Sequence, residues 1–472
     1  TCLYFGLVTL MVLKHSLVKT MYYRLKSGYT LRGWDGMPWL LVKSPQNEAK
    51  RLKQEQFQVL TLCDGETKLP NDLLNDDLKK VLRQCEREGW IEASKNRMPL
   101  EQEQYYQYYH NRFVGRVFWS ITGRCNYRCR HCYMDAPDAA LGELSTRQAF
   151  DLIDQMKECG VLCVDITGGE PLVRKDFLQL VDRILSHKMV IRQIYTNGWM
   201  LNERMLEEFE RREFKPEINI SFDGVGWHDW MRGVPGAEEA ALRAIKLSVE
   251  RGFMVSVGMC LHKGNLQCLP DTVKLLDTLG VKHIKVVNVD ETDLWRCHSE
   301  GKAMTRQEYV EALIPYIEWY YKEGRPFDHL VLGGVADLRR DQPARPSVGF
   351  YNYQETDKIL NTYMCEAARS TCYITPEGRL LPCMPMTSSP YQKYFPLVQD
   401  IGLREGLSGS AYMQFVNGRI RDLFAANVEC NACAYRYKCG GGCRASALAG
   451  PDKNLMGCDR EMCAFWKNGY EE

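Results

Sequence analysis

The stretch Cys125-Asn126-Tyr127-Arg128-Cys129-Arg130-His131-Cys132 decides how this chain is read, and it follows directly on an apolar run, Val117 to Ile121, with the character of a strand. Three thiolates spaced C-x3-C-x2-C on a short loop can wrap one face of a [4Fe–4S] cube and supply three of its four ligands. The loop carries no fourth cysteine, so one iron is left open, which is the mark of a catalytic rather than a structural metal centre. A zinc knuckle or three unrelated core cysteines are the plainer readings of the same spacing.

A C-x3-C-x2-C loop after a first strand resembles the radical S-adenosylmethionine (SAM) enzymes. The resemblance implies that Cys125, Cys129 and Cys132 hold the cluster and that the amino and carboxylate groups of SAM chelate the open iron. An electron from the cluster then cleaves SAM to methionine and a 5′-deoxyadenosyl radical, which abstracts hydrogen from substrate.

The 472 residues suffice for about three domains. With 45% hydrophobic residues and a formal net charge of +1, the composition is that of a soluble globular protein without a nucleic-acid footprint. The 20 cysteines are clustered at C-x2-C and C-x3-C spacings, which points to metal and to a reducing cytoplasm rather than to disulfides. Leu3 to Leu13 is too short to span a bilayer and lacks the flanks of a signal peptide, so residues 1–20 read as an upstream or disordered extension, with Met21 the natural start, and no membrane partner is expected.

Residues 21–95 form a module of their own. Tyr29-Thr30-Leu31-Arg32 and Trp39-Leu40-Leu41-Val42 flank the hairpin signal Asp35-Gly36. Helical patterns cover Glu48 to Cys63 and Asp76 to Glu88, and Gly89-Trp90-Ile91-Glu92 closes as a strand. The order describes a winged-helix-like fold. The stretches Leu60 to Thr67 and Glu86 to Ile91 resemble the PqqD-like peptide-recognition domain fused to many peptide maturases. That resemblance implies capture of a precursor peptide along an exposed strand edge. A DNA-binding winged helix and a structural cap are the alternatives, and the balanced charge of the module disfavours DNA. Residues 96–112 read as a linker helix.

From residue 113 to 325, strand and helix patterns alternate, predicting an α/β architecture, a partial (β/α)6 TIM-like barrel. Strands are expected at Arg116–Ile121, Val161–Ile166, Val190–Thr196, Glu217–Phe222, Met254–Cys260 and His283–Val287, with helices at Thr146–Cys159, Lys175–His187 and Glu238–Arg251. Function in parallel barrels gathers at the C-terminal ends of the strands. There stand Gly168-Gly169-Glu170-Pro171, Asn197, Ser221, Asp223 and Arg232. By resemblance, Gly168 to Pro171 hold the SAM amino group, Asn197, Ser221 and Asp223 lie by its ribose and carboxylate, and Arg232 pairs with the methionyl carboxylate. His131 takes the place of an aromatic residue beside the adenine, and Asn288 is a further candidate contact. His228, a lone loop histidine, reads as a turn residue.

Residues 326–362 connect to a cysteine-rich segment, 363–472, that resembles the SPASM extension of radical SAM peptide maturases. Its cysteines are Cys365, Cys372, Cys383 (in G-x4-C), the array Cys430, Cys433, Cys439, Cys443, and then Cys458 and Cys463. Two filled cubes need eight thiolates and nine are present. The resemblance implies Cys365, Cys372, Cys383 and Cys443 for one auxiliary cluster, and Cys430, Cys433, Cys439 with Cys458 or Cys463 for the other. Spacing leans to Cys458, and without Cys372 the first auxiliary cluster would be open. The alternative is a set of zinc ribbons. The remaining cysteines, among them Cys260, read as core thiols.

The parts in series imply an oxidoreductase with SAM and three [4Fe–4S] clusters that cross-links a ribosomal precursor peptide through a thioether or carbon–carbon bond, fed by flavodoxin or ferredoxin. The rivals are maturases of the quinone-cofactor and mycofactocin type, sulfatase maturases, which the residue Met384 after Cys383 disfavours, and a non-catalytic metal-binding scaffold that recognises peptide or DNA.

Overall fold

The computed structural model describes residues 21–69, 75–134, 142–289, 292–346, 356–451 and 453–470, and the expectation for residues 1–20 lies outside them. The chain divides into two units, one ending at His110 and the other beginning at Asn111.

The first unit is built from strands β1 (Met21–Leu25), β2 (Tyr29–Asp35), β3 (Met37–Lys43), β4 (Glu48–Arg51), β5 (Asp64–Leu69), β6 (Ile91–Ser94) and β7 (Gln107–Arg112), with helices α1 (Gln54–Leu62) and α2 (Asp76–Arg87). The expected hairpin is β2–β3, turning at Gly36, whose φ of +74° suits glycine. Asn75 caps α2 by accepting the Leu78 N–H at 2.8 Å, and Leu82 and Cys85 face inward against Val59, Leu60 and Cys63. Two sheets result, β5-β1-β6 and β4-β3-β2-β7.

Two expectations are corrected here. Glu48–Arg51, read as the start of a helix, is an edge strand on β3, and the helix begins only at Gln54. The stretch read as a linker helix holds a 3-10 turn at Gln102–Gln104 and then β7, where Tyr108 and His110 meet on one face, as i and i+2 do on a pleated strand. Gln104 is buried and donates to the carbonyls of Leu25 (3.3 Å), Lys26 (3.0 Å) and Tyr29 (3.2 Å), so it pins the β1–β2 turn.

The second unit carries β8 (Arg116–Ser120), β9 (Cys163–Thr167), β10 (Val190–Thr196), β11 (Glu217–Ser221), β12 (Val255–Leu261), β13 (His283–Asn288), β14 (His329–Leu332), β15 (Ala336–Arg339), β16 (Arg345–Pro346), β17 (Thr371–Ile374) and β18 (Leu380–Leu381). Its helices include α3 (Thr146–Glu158), α4 (Phe177–Ser186), α5 (Glu203–Arg211), α6 (His228–Arg232), α7 (Ala237–Glu250), α8 (Leu269–Thr278), α9 (Asp293–His298) and α10 (Arg306–Lys322). All the strands join one sheet in the order β16-β15-β14-β13-β12-β11-β10-β9-β8-β17-β18. From β17 through β8 to β14 neighbouring strands are parallel. This is an α/β fold with a large parallel sheet, consistent with the expected barrel. It reaches further than expected, because the described part of residues 326–362 adds β14 to β16 to one side and the cysteine-rich segment adds β17 and β18 to the other.

The two faces of this sheet differ. Val117, Trp119, Val164, Ile166, Ile218, Ile220 and Val257 are buried in the core shared with Leu152, Ile153, Leu180, Ile184 and Ile245 of the helices. Each such side chain contributes about 1.5–3 kcal/mol. The alternate positions are polar: Arg116 pairs with Asp165, Gln193 donates to Glu217 (3.0 Å) and Ser256 (3.2 Å), and Asn219 donates to Ser256 (2.9 Å). Among the described residues no helix is long and apolar enough to cross a membrane.

Candidate active site

The cysteine loop leaves the C-terminal end of β8 and is strapped to α6. Arg128 N–H donates to the Arg232 carbonyl (3.2 Å) and Arg130 N–H to that of Met231 (2.9 Å), while the Arg130 guanidinium reaches the Trp230 carbonyl (3.0 Å) and Glu300 (2.8 Å). Within the loop Cys125 Sγ accepts the Tyr127 N–H at 3.4 Å.

The Gly168–Pro171 turn at the end of β9 lies against the same loop. Gly169 N–H donates to Thr122 O and Glu170 N–H to Arg124 O, both at 2.8 Å. A Cβ on Gly168 would stand 2.6 Å from Thr122 O, and one on Gly169 would be closer still to Arg124 O, so both positions require glycine. Glu170 is fully buried, and its carboxylate accepts from Leu172 N–H (3.1 Å), Thr196 Oγ1 (2.8 Å) and Asn197 N–H (2.7 Å). Burial pushes its carboxyl up to about 7 against those three donors. Glu170 therefore ties the end of β9 to the end of β10. Asn197, held in place by that bond, donates to Asn126 at 2.8 Å and lies 4.0 Å from Cys125 Sγ.

Asp223 and Arg232 form a buried pair, with Arg232 Nε and Nη2 donating to the two carboxylate oxygens. Burial opposes the charge on Asp223, but Arg232 outweighs it and holds the carboxyl well below its usual range. Asp223 also accepts the Cys260 N–H at 2.9 Å, and its own N–H donates to His228 Nδ1 at 2.9 Å. His228 is thus a buried turn support, as expected. The remaining arm of Arg232, Nη1, points at Cys129 Sγ at 3.8 Å. Arg232, expected to serve a ligand carboxylate, has two of its nitrogens committed to Asp223 because a buried guanidinium needs a counter-charge.

His131 is drawn in as well. One ligand atom each from His131, Asp223 and Cys260 lie within 4.8 Å of one another. His131 Nδ1 has no partner among the described residues, and burial, with Arg232 nearby, pushes its pKa down to about 3, so the ring is neutral. Ser221 ends β11 half-buried on the polar face, and Asn288 donates to Met304 O at 3.4 Å. Cys260 and Tyr133 are the residues that sequence reasoning missed. A lone cysteine carries no spacing signal, and Tyr133, next to Cys132, reaches Gly168 O and Ser120 Oγ, both at 3.4 Å.

In the cysteine-rich segment Cys430, Cys433, Cys439, Cys458 and Cys463 border one cavity. Cys365, Cys383 and Cys443 act electrostatically on one another and form a second group. Three successive left-handed glycines, Gly440 (φ +60°), Gly441 (+90°) and Gly442 (+72°), turn the chain between Cys439 in the first group and Cys443 in the second. Cys372 lies on a strand. It is 1% exposed on β17, opposite Val117 in register, and the charges acting on it are Arg112 and Cys159. Strand alternation sends Cys372 into the core on the side opposite to Tyr373, whose hydroxyl meets Ser120 at 2.5 Å.

The donor sets suit clusters better than single ions. Among the described residues no three of these thiols come within 4.8 Å of one another. Four sulfurs around one zinc would stand about 3.8 Å apart, given bonds of about 2.3 Å. Burial pushes the Cys125 thiol up to about 12, so a cluster bound there would displace its proton.

The family model of the radical SAM superfamily matches residues 119–276. Among curated relatives, the PqqA peptide cyclase of Granulibacter bethesdensis is 27% identical over 332 residues, 70% of this chain and 82% of that one. The AdoMet-dependent heme synthase of Oleidesulfovibrio alaskensis is 27% identical over 360 residues, 74% of this chain and 87% of that one. Among solved structures, Streptococcus suis SuiB bound to its precursor peptide SuiA superposes with a TM-score of 0.65 at 15% identity, over 93% of this chain and 99% of that one.

Proposed function

We propose that this chain is a radical SAM enzyme that modifies a ribosomally made precursor peptide, forming a thioether or carbon–carbon cross-link. The observation that carries the proposal is the meeting of the Cys125–Cys132 loop with the Gly168–Pro171 turn and the Asp223–Arg232 pair at the C-terminal ends of three parallel strands. Cys125, Cys129 and Cys132 would hold a [4Fe–4S] cluster. When bound, that cluster and SAM supply a 5′-deoxyadenosyl radical able to remove hydrogen from an unactivated carbon.

The chain's own residues position and shield. Arg232 puts positive charge beside Cys129 Sγ, which favours the thiolate. The backbone at Gly168 and Gly169 would hold the SAM amino group, Asn197 and Ser221 would serve its ribose, and neutral His131 its adenine. In the cysteine-rich, SPASM-like segment, Cys365, Cys383 and Cys443 would hold one auxiliary cluster, leaving an iron open. Cys430, Cys433, Cys439 and either Cys458 or Cys463 would hold the other. Auxiliary clusters can take up the electron that cross-linking releases, and flavodoxin or ferredoxin would feed the first cluster.

The first unit is assigned to peptide capture, as a winged-helix-like, PqqD-like module. Its support is a small domain with exposed edge strands, β4 among them, on which an extended leader can add a strand. The superposition over 93% of the chain on a peptide-bound enzyme agrees with a fold shared along the whole length.

Anaerobic reconstitution with SAM and dithionite tests the proposal. A radical SAM enzyme releases 5′-deoxyadenosine, and a metal-binding scaffold releases none. Co-expression with a short leader-bearing peptide from a neighbouring reading frame should give a peptide lighter by two hydrogens. Turnover of a tetrapyrrole with an unchanged peptide would overturn the substrate class.

A further inference from the structure

The sheet face turned away from the helices carries an unmatched charge. Ile284 and Val286 of β13 are buried in the core, so His283 and Lys285 take the opposite, polar face. Lys285 stands in mid-strand, in register with Gly258 of β12 on one side and Val331 of β14 on the other. Side chains ordinarily fill the inside of a parallel barrel, yet Lys285 is exposed, so solvent reaches a hollow over this part of the face. Gly258 accounts for part of that space, since it brings no side chain to the position beside the lysine.

The acids of this face are already engaged. Asp165 pairs with Arg116 and lies near Arg192, and Glu217 accepts from Gln193 at 3.0 Å. Asp337 meets His329 Nε2 at 3.0 Å and Arg339 Nε at 3.2 Å. Among the described residues Lys285 has no ion pair or hydrogen bond. His283, which feels its charge, has Nε2 buried without a partner, and its ring is stacked on that of His329 at 4.5 Å. An ammonium and an imidazole nitrogen thus stand two residues apart on one strand face with nothing to bind. A carboxylate, with two acceptor oxygens, answers both.

The depth of the pair suits substrate. Cys260, the next position of β12 on this face, donates its N–H to Asp223 Oδ1 at 2.9 Å. Gly258 lies two residues, about 6.6 Å, nearer the N-terminal ends of the strands, away from the cysteine loop. We infer that Lys285 and His283 bind a carboxylate of the peptide, either an Asp or Glu side chain close to the modified residue or the peptide's C-terminus. The inference rests on the peptide reading proposed above and narrows it to peptides that carry a carboxylate near the modified carbon.

The probe is the leader-bearing peptide of a neighbouring reading frame, assayed with the reconstituted full chain as wild type, Lys285→Met and Lys285→Glu. Each core Asp and Glu of the peptide is changed in turn to Asn or Gln, and one version ends in a C-terminal amide. Lys285→Met should raise KM for the peptide by about tenfold, with a smaller fall in kcat. One peptide change should do the same in wild type and add nothing in Lys285→Met. The amide assigns the C-terminus and a side-chain change assigns that residue, where a lysine should then be accepted best by Lys285→Glu. An unchanged KM in Lys285→Met, or in wild type with every altered peptide, overturns the inference and leaves the peptide reading standing. Losses that add also overturn it, because a structural role raises KM for every peptide alike. A peptide that wild type leaves unmodified overturns the reading and the inference with it. The altered peptides read with wild type decide the matter even where Lys285→Met fails to fold.

Discussion

Arg232 grips both carboxylate oxygens of Asp223, at 2.6 and 3.1 Å, and turns its free nitrogen toward Cys129 Sγ. One buried ion pair thus joins the end of β11 to the cysteine loop, so the loop's geometry depends on a residue that touches none of its sulfurs. Asp223→Asn would leave the guanidinium buried without its counter-charge, and stability should fall by about 3–5 kcal/mol. Urea unfolding of the metal-free protein measures this, and a loss under about 1 kcal/mol would mean that Arg232 finds another partner.

Arg232→Lys keeps the charge but not the planar fork. The paired grip on Asp223 is lost, and 5′-deoxyadenosine formation should drop by about tenfold or more, against a smaller loss of stability than in Asp223→Asn. Parallel assays of SAM cleavage and unfolding separate the two effects.

Glu170 gives a pH signature. Its carboxyl lies near 7 when folded, against an ordinary 4.5, so between those values the folded state holds a proton that the unfolded state has released. The stabilisation is complete below about 4.5 and is lost as the pH rises through about 7, up to about 3 kcal/mol in all. Glu170→Gln also loses a hydrogen bond, because its amide faces donors. Urea midpoints at pH 5, 6, 7 and 8 should therefore show the variant below wild type, with the gap narrowing toward pH 8.

The two classes of cysteine should separate by assay. Cys129→Ala should abolish SAM cleavage. Cys433→Ala should leave cleavage largely intact while cross-linked peptide disappears, as mass spectrometry of the co-expressed peptide would register.

Cys372→Ala should retain the iron content of wild type and lose only core packing, about 1–2 kcal/mol. Iron analysis decides, since loss of one cluster would return Cys372 to the ligand set.

The parallel sheet was legible because its strands announce themselves twice, by apolar runs and by the turns that follow. The six expected strands appear as β8 to β13 with ends shifted by a residue or two. What escaped was set by partners distant in sequence. Glu48–Arg51 has a helical charge pattern but pairs with β3, and β14 becomes a strand by lying beside β13. The thiols of the Cys125 loop carry a spacing signal, whereas Cys260 comes to Asp223 only through the pairing of β11 with β12. Cys372 shows the converse: its spacing suggests a ligand, while its place on β17 buries it in the core.

The left-handed glycine run from Gly440 to Gly442 has a kinetic consequence. Four residues of chain span at most about 14 Å, so the two thiol groups it separates are leashed together through every opening and closing of the protein. Whatever charge passes between them has a hop bounded by that leash.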